Sequence, residues 1–190
     1  MGLTALTTTV ASNTSYIDFT VDDTYDEILF TFTGCRYSVD EKNLSFQVVT
    51  GNGSHNRPAL ATAFREWHYV FDYSSGIGYD SSRDKEIDDE NFIVLHDGGD
   101  THNSYSAASG ELRIFNPHDD TKWKFFESQS LALGGHTQDF QRLSYNYKIA
   151  GYIKDTADIT SIRFQSTNYL GSTTGAGNIT YGTITHYGIS

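Results

Sequence analysis

The stretch Leu-Ser-Phe-Gln-Val-Val at residues 44–49 places an apolar side chain at every second position. A period of two is typical of a β-strand that buries one of its faces. Residues 27–33 and 64–73 follow the same pattern with apolar and aromatic side chains. Only residues 59–66 fit a helix, and then for one or two turns. The alternation therefore predicts a chain built mainly of β-strands.

The composition agrees with this prediction. The chain has 190 residues, among them 17 Gly, 13 Tyr and 12 Phe, and charged residues make up only 19%. Apolar runs separated by turn residues predict about ten strands with no alternation of strands and helices. We expect an all-β fold, a single antiparallel β-sandwich of jelly-roll type that spans residues 1–190. The polar residues near 74–91 have no sustained period and predict a long surface loop.

Charge and cysteine content limit the classes of partner. The formal net charge is −11, which argues against nucleic acid and against an anionic membrane, because both attract basic surfaces. The single cysteine, Cys35, allows no intrachain disulfide, and we expect it to be a half-buried residue at a strand end. The N-terminal residues lack the pattern of a signal peptide, and no apolar run has the length of a membrane helix.

A metal site is the first chemical hypothesis. The segment His-Asp-Gly-Gly-Asp-Thr-His at residues 96–102 supplies His96, Asp97, Asp100 and His102 as candidate ligands for a divalent ion. These residue types coordinate zinc and related metals when a loop folds around the ion. The competing interpretation, which the spacing favours, is a hydrophilic turn built on Asp-Gly-Gly-Asp. We therefore expect no bound metal and no cofactor.

Aromatic residues suggest a binding surface. Trp67, Tyr69 and Tyr73 alternate along one predicted strand, and Tyr79 lies in the polar segment. Exposed rings of this kind stack on sugar rings, and they are also enriched at protein–protein interfaces. The alternative is that these rings belong to the core.

Catalytic motifs are missing from the sequence. It contains no nucleophile elbow, phosphate-binding loop or His-Glu-x-x-His motif, each of which has a fixed spacing imposed by its chemistry. The 24 acidic residues make a chance pair of carboxylates inevitable, so such a pair is not diagnostic of a glycosidase. We expect the protein not to be an enzyme.

The C-terminal sequence resembles a known family. Residues 177–189 read Gly-Asn-Ile-Thr-Tyr-Gly-Thr-Ile-Thr-His-Tyr-Gly-Ile. With residues 150–153 and 158–166 before it, this ending resembles that of virion structural proteins of tailed phages of the marine and cyanobacterial type. The resemblance extends to four further segments, at residues 11–19, 24–27, 30–32 and 112–117. The chain departs from the family at residues 166–178, where the longer link is expected to form an extended hairpin, with a lineage-specific contact as the alternative.

This resemblance implies a non-enzymatic structural protein on the exterior of the virion, as a head decoration or a tail- or fibre-associated protein. The implied partners are copies of itself, most simply in a trimer, and other virion proteins. The alternative is a carbohydrate-binding module of a tail fibre that recognises a glycan on the host surface. Assembly in the host cytoplasm and release by lysis would account for the lack of a signal peptide.

Overall fold

The computed structural model of the protein describes residues 2–51, 53–69, 74–96, 107–136 and 141–190, and for residues 69, 87–88, 134–136 and 141–143 the backbone alone. Within these ranges the chain forms thirteen strands, β1 (Leu3–Val10), β2 (Tyr16–Thr20), β3 (Glu27–Tyr37), β4 (Asn43–Thr50), β5 (Ala59–Tyr69), β6 (Ser75–Tyr79), β7 (Lys85–Asp89), β8 (Ile93–Val94), β9 (Ala108–Phe115), β10 (Lys124–His136), β11 (Gln141–Ile153), β12 (Ile159–Thr167) and β13 (Ile179–Ile189). The described residues include no helix long and apolar enough to cross a membrane.

Two antiparallel sheets pack face to face, which confirms the all-β sandwich. The large sheet has nine strands, eight of them in the order β1-β13-β3-β9-β10-β11-β5-β6, and β7 pairs with β5 outside this path. The small sheet has four strands in the order β2-β12-β4-β8. Because the small sheet is less than half as wide, it covers only part of the inner face of the large sheet.

The core lies between the two sheets and is rich in aromatic rings. Phe30 of β3 contacts Phe164 of β12 with 5.1 Å between ring centroids, and Phe19 of β2 contacts both rings edge to face. His186 of β13 stacks on Phe30 at 4.6 Å. Edge-to-face and stacked rings contribute about 0.5–1.5 kcal/mol per pair beyond the area they bury. This cluster joins strands of both sheets and fixes their relative position.

The prediction of ten strands was too low because three strands carry little apolar periodicity. β1 is rich in threonine, whereas β6 and β7 lie in the polar segment that was predicted to be a loop. That loop prediction was wrong. The segment forms β6, a short 3-10 helix at Ser81–Arg83 and then β7.

Buried charged groups that find polar partners explain why so polar a segment is ordered. Asp80 is buried and accepts hydrogen bonds from the hydroxyl of Ser82, at 2.6 Å, and of Tyr147, at 2.9 Å. Lys85 is also buried, and its Nζ donates to Asp89 at 3.0 Å and to the carbonyl of Leu170 at 2.8 Å. Charged groups are tolerated inside a protein when each finds a partner. In this segment, charged residues are therefore not a sign of exposure to solvent.

Two further local predictions were wrong. Residues 59–66 belong to β5 and not to a helix, because alternate residues in the first half of this strand, Ala59, Ala61 and Ala63, are buried against the core. The link after β12 is not a hairpin, since β12 lies in the small sheet and β13 in the large one. The link crosses between the sheets and is held by Arg83, which donates to the carbonyl of Tyr169 at 2.6 Å.

We expect the stability of the fold to depend on pH through His186. Burial lowers the pKa of its imidazole to about 4, whereas an unperturbed histidine titrates near 6.5. The unfolded chain therefore binds the proton more tightly than the folded chain. The free energy of unfolding should fall as the pH drops from about 6.5 towards 4, by about 2 kcal/mol at pH 5.

Urea unfolding near pH 8 and pH 5 measures this effect. The variant His186→Phe keeps an aromatic ring on Phe30 and removes the titrating group. Between the two pH values, its free energy of unfolding should therefore fall by about 2 kcal/mol less than that of the wild-type protein. Equal losses in the wild-type protein and the variant would show that other groups cause the pH dependence.

Candidate functional site

The candidate metal ligand His96 lies inside the fold. It is fully buried, and its Nε2 accepts a hydrogen bond from the backbone N–H of Leu44 at 2.8 Å and lies 2.5 Å from the Tyr37 hydroxyl. This ring nitrogen, a candidate metal-binding atom, therefore already has hydrogen-bond partners within the protein. Asp97, Asp100 and His102 lie outside the described residues. The described part of the chain holds no cluster of three or more metal-ligating side chains.

The candidate aromatic residues do not form one platform. Trp67 is half-buried, with its indole packed against Gly76 of β6 and the guanidinium of Arg65 5.2 Å from its ring centroid. Tyr79 is 55% exposed and pairs in register with Phe64, so it points to the opposite face of the sheet from Trp67. The side chain of Tyr69 and the whole of Tyr73 lie outside the described residues.

Cys35 differs from its expected position at a half-buried strand end. It lies within β3 and is fully buried. Gly182 of β13 approaches it so closely that a Cβ on Gly182 would lie 2.8 Å from the Cys35 sulfur. The thiol is a packing element between two paired strands.

The outer face of the large sheet carries the most developed surface feature. On β9, β10, β11, β5 and β6, side chains that face away from the core stand in rows across the sheet. The first row runs through Glu111, Gln129, Lys148, Phe64 and Tyr79, each paired in register with the next. Neighbouring strands are about 4.8 Å apart, so this row spans about 19 Å.

A second row has small residues at its centre and creates a depression. It runs through Glu127, Ala150 and Thr62, again paired in register. Together with the first row these residues line a shallow groove of about 270 Å³, which we call the outer groove. Beyond it, a third row carries Phe125 and Tyr152, and Tyr152 stacks on Trp123 at 5.0 Å. Aromatic rings therefore flank the groove on both sides.

The polar groups of the outer groove are not used by the fold. Among the described residues, none makes a hydrogen bond or an ion pair with the side-chain ends of Glu111, Glu127, Gln129 or Lys148. All four side chains are exposed. Two carboxylates, an amide and an ammonium thus offer both acceptors and donors to a ligand.

The edge strand β1 is a second unusual surface. It buries none of its residues, and Leu3, Leu6 and Val10 are 59%, 36% and 69% exposed. Its sequence, Leu-Thr-Ala-Leu-Thr-Thr-Thr-Val, contains no charge and no proline. One bulge interrupts its pairing with β13, between Ala5 and Thr7. Charges and prolines are the usual protection of an edge strand against pairing with another chain.

Comparison with protein family models, curated protein sequences and solved structures finds no match to this chain. Both surfaces were missed by the sequence interpretation. The alternating exposure of residues 124–133 is not visible in the sequence, because Lys124, Ser128 and Ser130 are buried while Phe125, Leu131 and Leu133 are exposed. The sequence also does not show which strands lie beside this segment. For β1 a signal was present, namely eight consecutive residues without charge in a chain of net charge −11.

We expect Cys35 to be unreactive in the folded protein. Burial raises the pKa of its thiol to about 12, and the thiolate is the reactive form. Iodoacetamide at about pH 8 should therefore leave the native protein unmodified and alkylate one site in urea. Mass spectrometry of the intact chain measures the modification. Rapid alkylation without denaturant would show that β3 and β13 separate readily.

Proposed function

We propose that this protein is a non-enzymatic structural component that assembles with copies of itself through β1. The observation that carries this proposal is the exposure of β1 on both faces and along one edge without any charged residue. A strand of this kind adds little to the core of its own subunit. Its exposed aliphatic groups and backbone favour a contact with another strand.

The pairing with β13 identifies which backbone groups of β1 are available. Gly2 and Ser190 exchange both of their backbone hydrogen bonds, and Ala11 donates to Gly182. Hydrogen-bonded and non-hydrogen-bonded pairs alternate along an antiparallel ladder. The N–H and C=O groups of Leu3, Ala5, Thr8 and Val10 therefore point away from β13, and no described strand pairs with them.

A second copy is the partner that fits this edge best. Two β1 strands can pair antiparallel across a two-fold axis, which brings threonine opposite threonine and aliphatic groups together. Most approaches between two molecules of net charge −11 are repulsive. An edge without charge lowers this repulsion. We infer a contact with two-fold symmetry; the trimer suggested by the resemblance would need a contact between different surfaces.

We further infer that the sandwich is of jelly-roll type. Strands β1, β13, β3 and β9 lie side by side in the large sheet, and β2, β12, β4 and β8 in the small one. Chain order alternates between these two sets in the manner of two Greek keys, and the remaining strands extend the large sheet. Jelly rolls are frequent in viral capsid proteins and in lectins. This analogy supports a virion role.

The virion setting rests on the resemblance of the C-terminal strand region to tailed-phage structural proteins. The segments that carry the resemblance include β13 and the Phe-Asn-Pro sequence that ends β9. We propose a place on the exterior of the particle, with other virion proteins as further partners. The alternative of a glycan-binding module is supported by the outer groove and not by Trp67.

The assembly proposal predicts that a proline in β1 will dissociate the oligomer. Thr8→Pro removes an N–H that points away from β13, so the fold loses no ladder bond at this position, whereas a paired second copy does. The wild-type protein should be an oligomer with an even number of chains in native mass spectrometry, and the variant should be a monomer.

Thr8→Ala is the matched control. Thr8 and Thr185 share a side-chain hydrogen bond of 3.2 Å, and both variants lose it, but only the proline removes the backbone donor. Circular dichroism verifies that both variants fold. A wild-type monomer, or an oligomer that Thr8→Pro leaves intact, would contradict assembly through β1. Absence of the protein from purified particles would contradict the virion setting.

A further inference from the structure

We propose that the outer groove binds a neutral saccharide chain. The groove is built from four strands: its polar groups come from β9, β10 and β11, and its aromatic wall comes from β5. This function goes beyond assembly through β1 and uses different residues. The two surfaces are also far apart in the large sheet, since β13 and β3 lie between β1 and β9.

The aromatic wall provides the apolar half of such a site. Phe64 is 53% exposed, and its ring lies 5.7 Å from that of Tyr79. The C–H faces of sugar rings pack on exposed aromatic faces of this kind. The small side chains of Ala150 and Thr62 form the floor next to Phe64, which leaves room for a ring above them.

The polar groups match the hydroxyls of a saccharide. A sugar hydroxyl both donates and accepts hydrogen bonds, so a site for several hydroxyls needs acceptors and donors together. Glu111 and Glu127 accept, Lys148 donates, and Gln129 does both. Binding would therefore leave few buried polar groups without partners, which is the main cost of burying them.

The charges make other ligands less suitable. Two carboxylates face the groove and oppose a phosphate or another anion. Lys148 lies at its centre, paired in register with Gln129 and Phe64, and its ammonium offsets one of the two carboxylates, so little net charge remains to attract a lysine- or arginine-rich peptide. The groove is shallow and continues into the aromatic residues Tyr79 on one side and Tyr152 on the other. This shape suits an extended chain that presents successive rings.

The test is binding of the full-length protein to an array of neutral and aminated microbial and plant oligosaccharides. We expect binding to at least one neutral oligosaccharide, which then serves as the ligand in calorimetry. Glu127→Gln preserves size and removes a charged acceptor, and Phe64→Ala removes the wall. Each should weaken binding about tenfold, as expected for loss of one good contact.

Tyr181→Ala is the matched control for the loss of an exposed ring. Tyr181 is 62% exposed and lies in β13, outside the groove, so its loss should leave the affinity unchanged. Circular dichroism identifies any variant that fails to fold, and Glu127→Gln is the variant least expected to do so. Thr8→Pro should bind the saccharide with the affinity per site of the wild-type protein, which separates failure of this proposal from failure of the assembly proposal.

Three outcomes would overturn the proposal. The first is no binding to any oligosaccharide on the array. The second is binding that both groove variants leave unchanged, which would place the site elsewhere. The third is that no saccharide binds but an oligolysine peptide does, and that Glu127→Gln abolishes binding of this peptide. This result would assign the groove to a cationic partner.

Discussion

Contact between Phe30 of the large sheet and Phe164 of the small sheet, at 5.1 Å between ring centroids, fixes how the two layers meet. Phe19 and His186 complete the cluster, so four strands from both sheets share one set of packed rings. The register of each strand depends on this packing, because a slip of one residue would turn its buried side chains to solvent. The faces and edges available for function follow from that register.

The unequal width of the two sheets has the largest consequence for function. A sheet of nine strands packed on one of four cannot be covered over its whole inner face. At one end β1 is left without a covering layer on either side. Towards the other end, the additional strands β10, β11, β5 and β6 widen the outer face enough to carry the groove. The two proposals, assembly through β1 and saccharide binding in the outer groove, therefore concern the two ends of one sheet.

The buried charges show that a polar stretch of sequence does not always form a loop. Asp80 and Lys85 are inside the protein because Tyr147, Asp89 and the Leu170 carbonyl satisfy them. Burial lowers the pKa of Lys85, but its partner Asp89 opposes this effect. None of these partners is near in sequence except Asp89. A charge run therefore predicts a solvated loop only when no distant residue can pair with it.

The sequence by itself determined the fold class, because alternation with a period of two at residues 27–33 and 44–49 is a local property of each strand. It also determined the net charge and, with a single cysteine, the absence of an intrachain disulfide. Tertiary structure decided the order of the strands, and with it which residues share a face. Glu111, Gln129, Lys148 and Phe64 are separated by up to 84 positions in the chain (148 − 64 = 84), yet they form one row. The physical reason is that strand pairing depends on the burial of all faces together, which no single segment of sequence specifies.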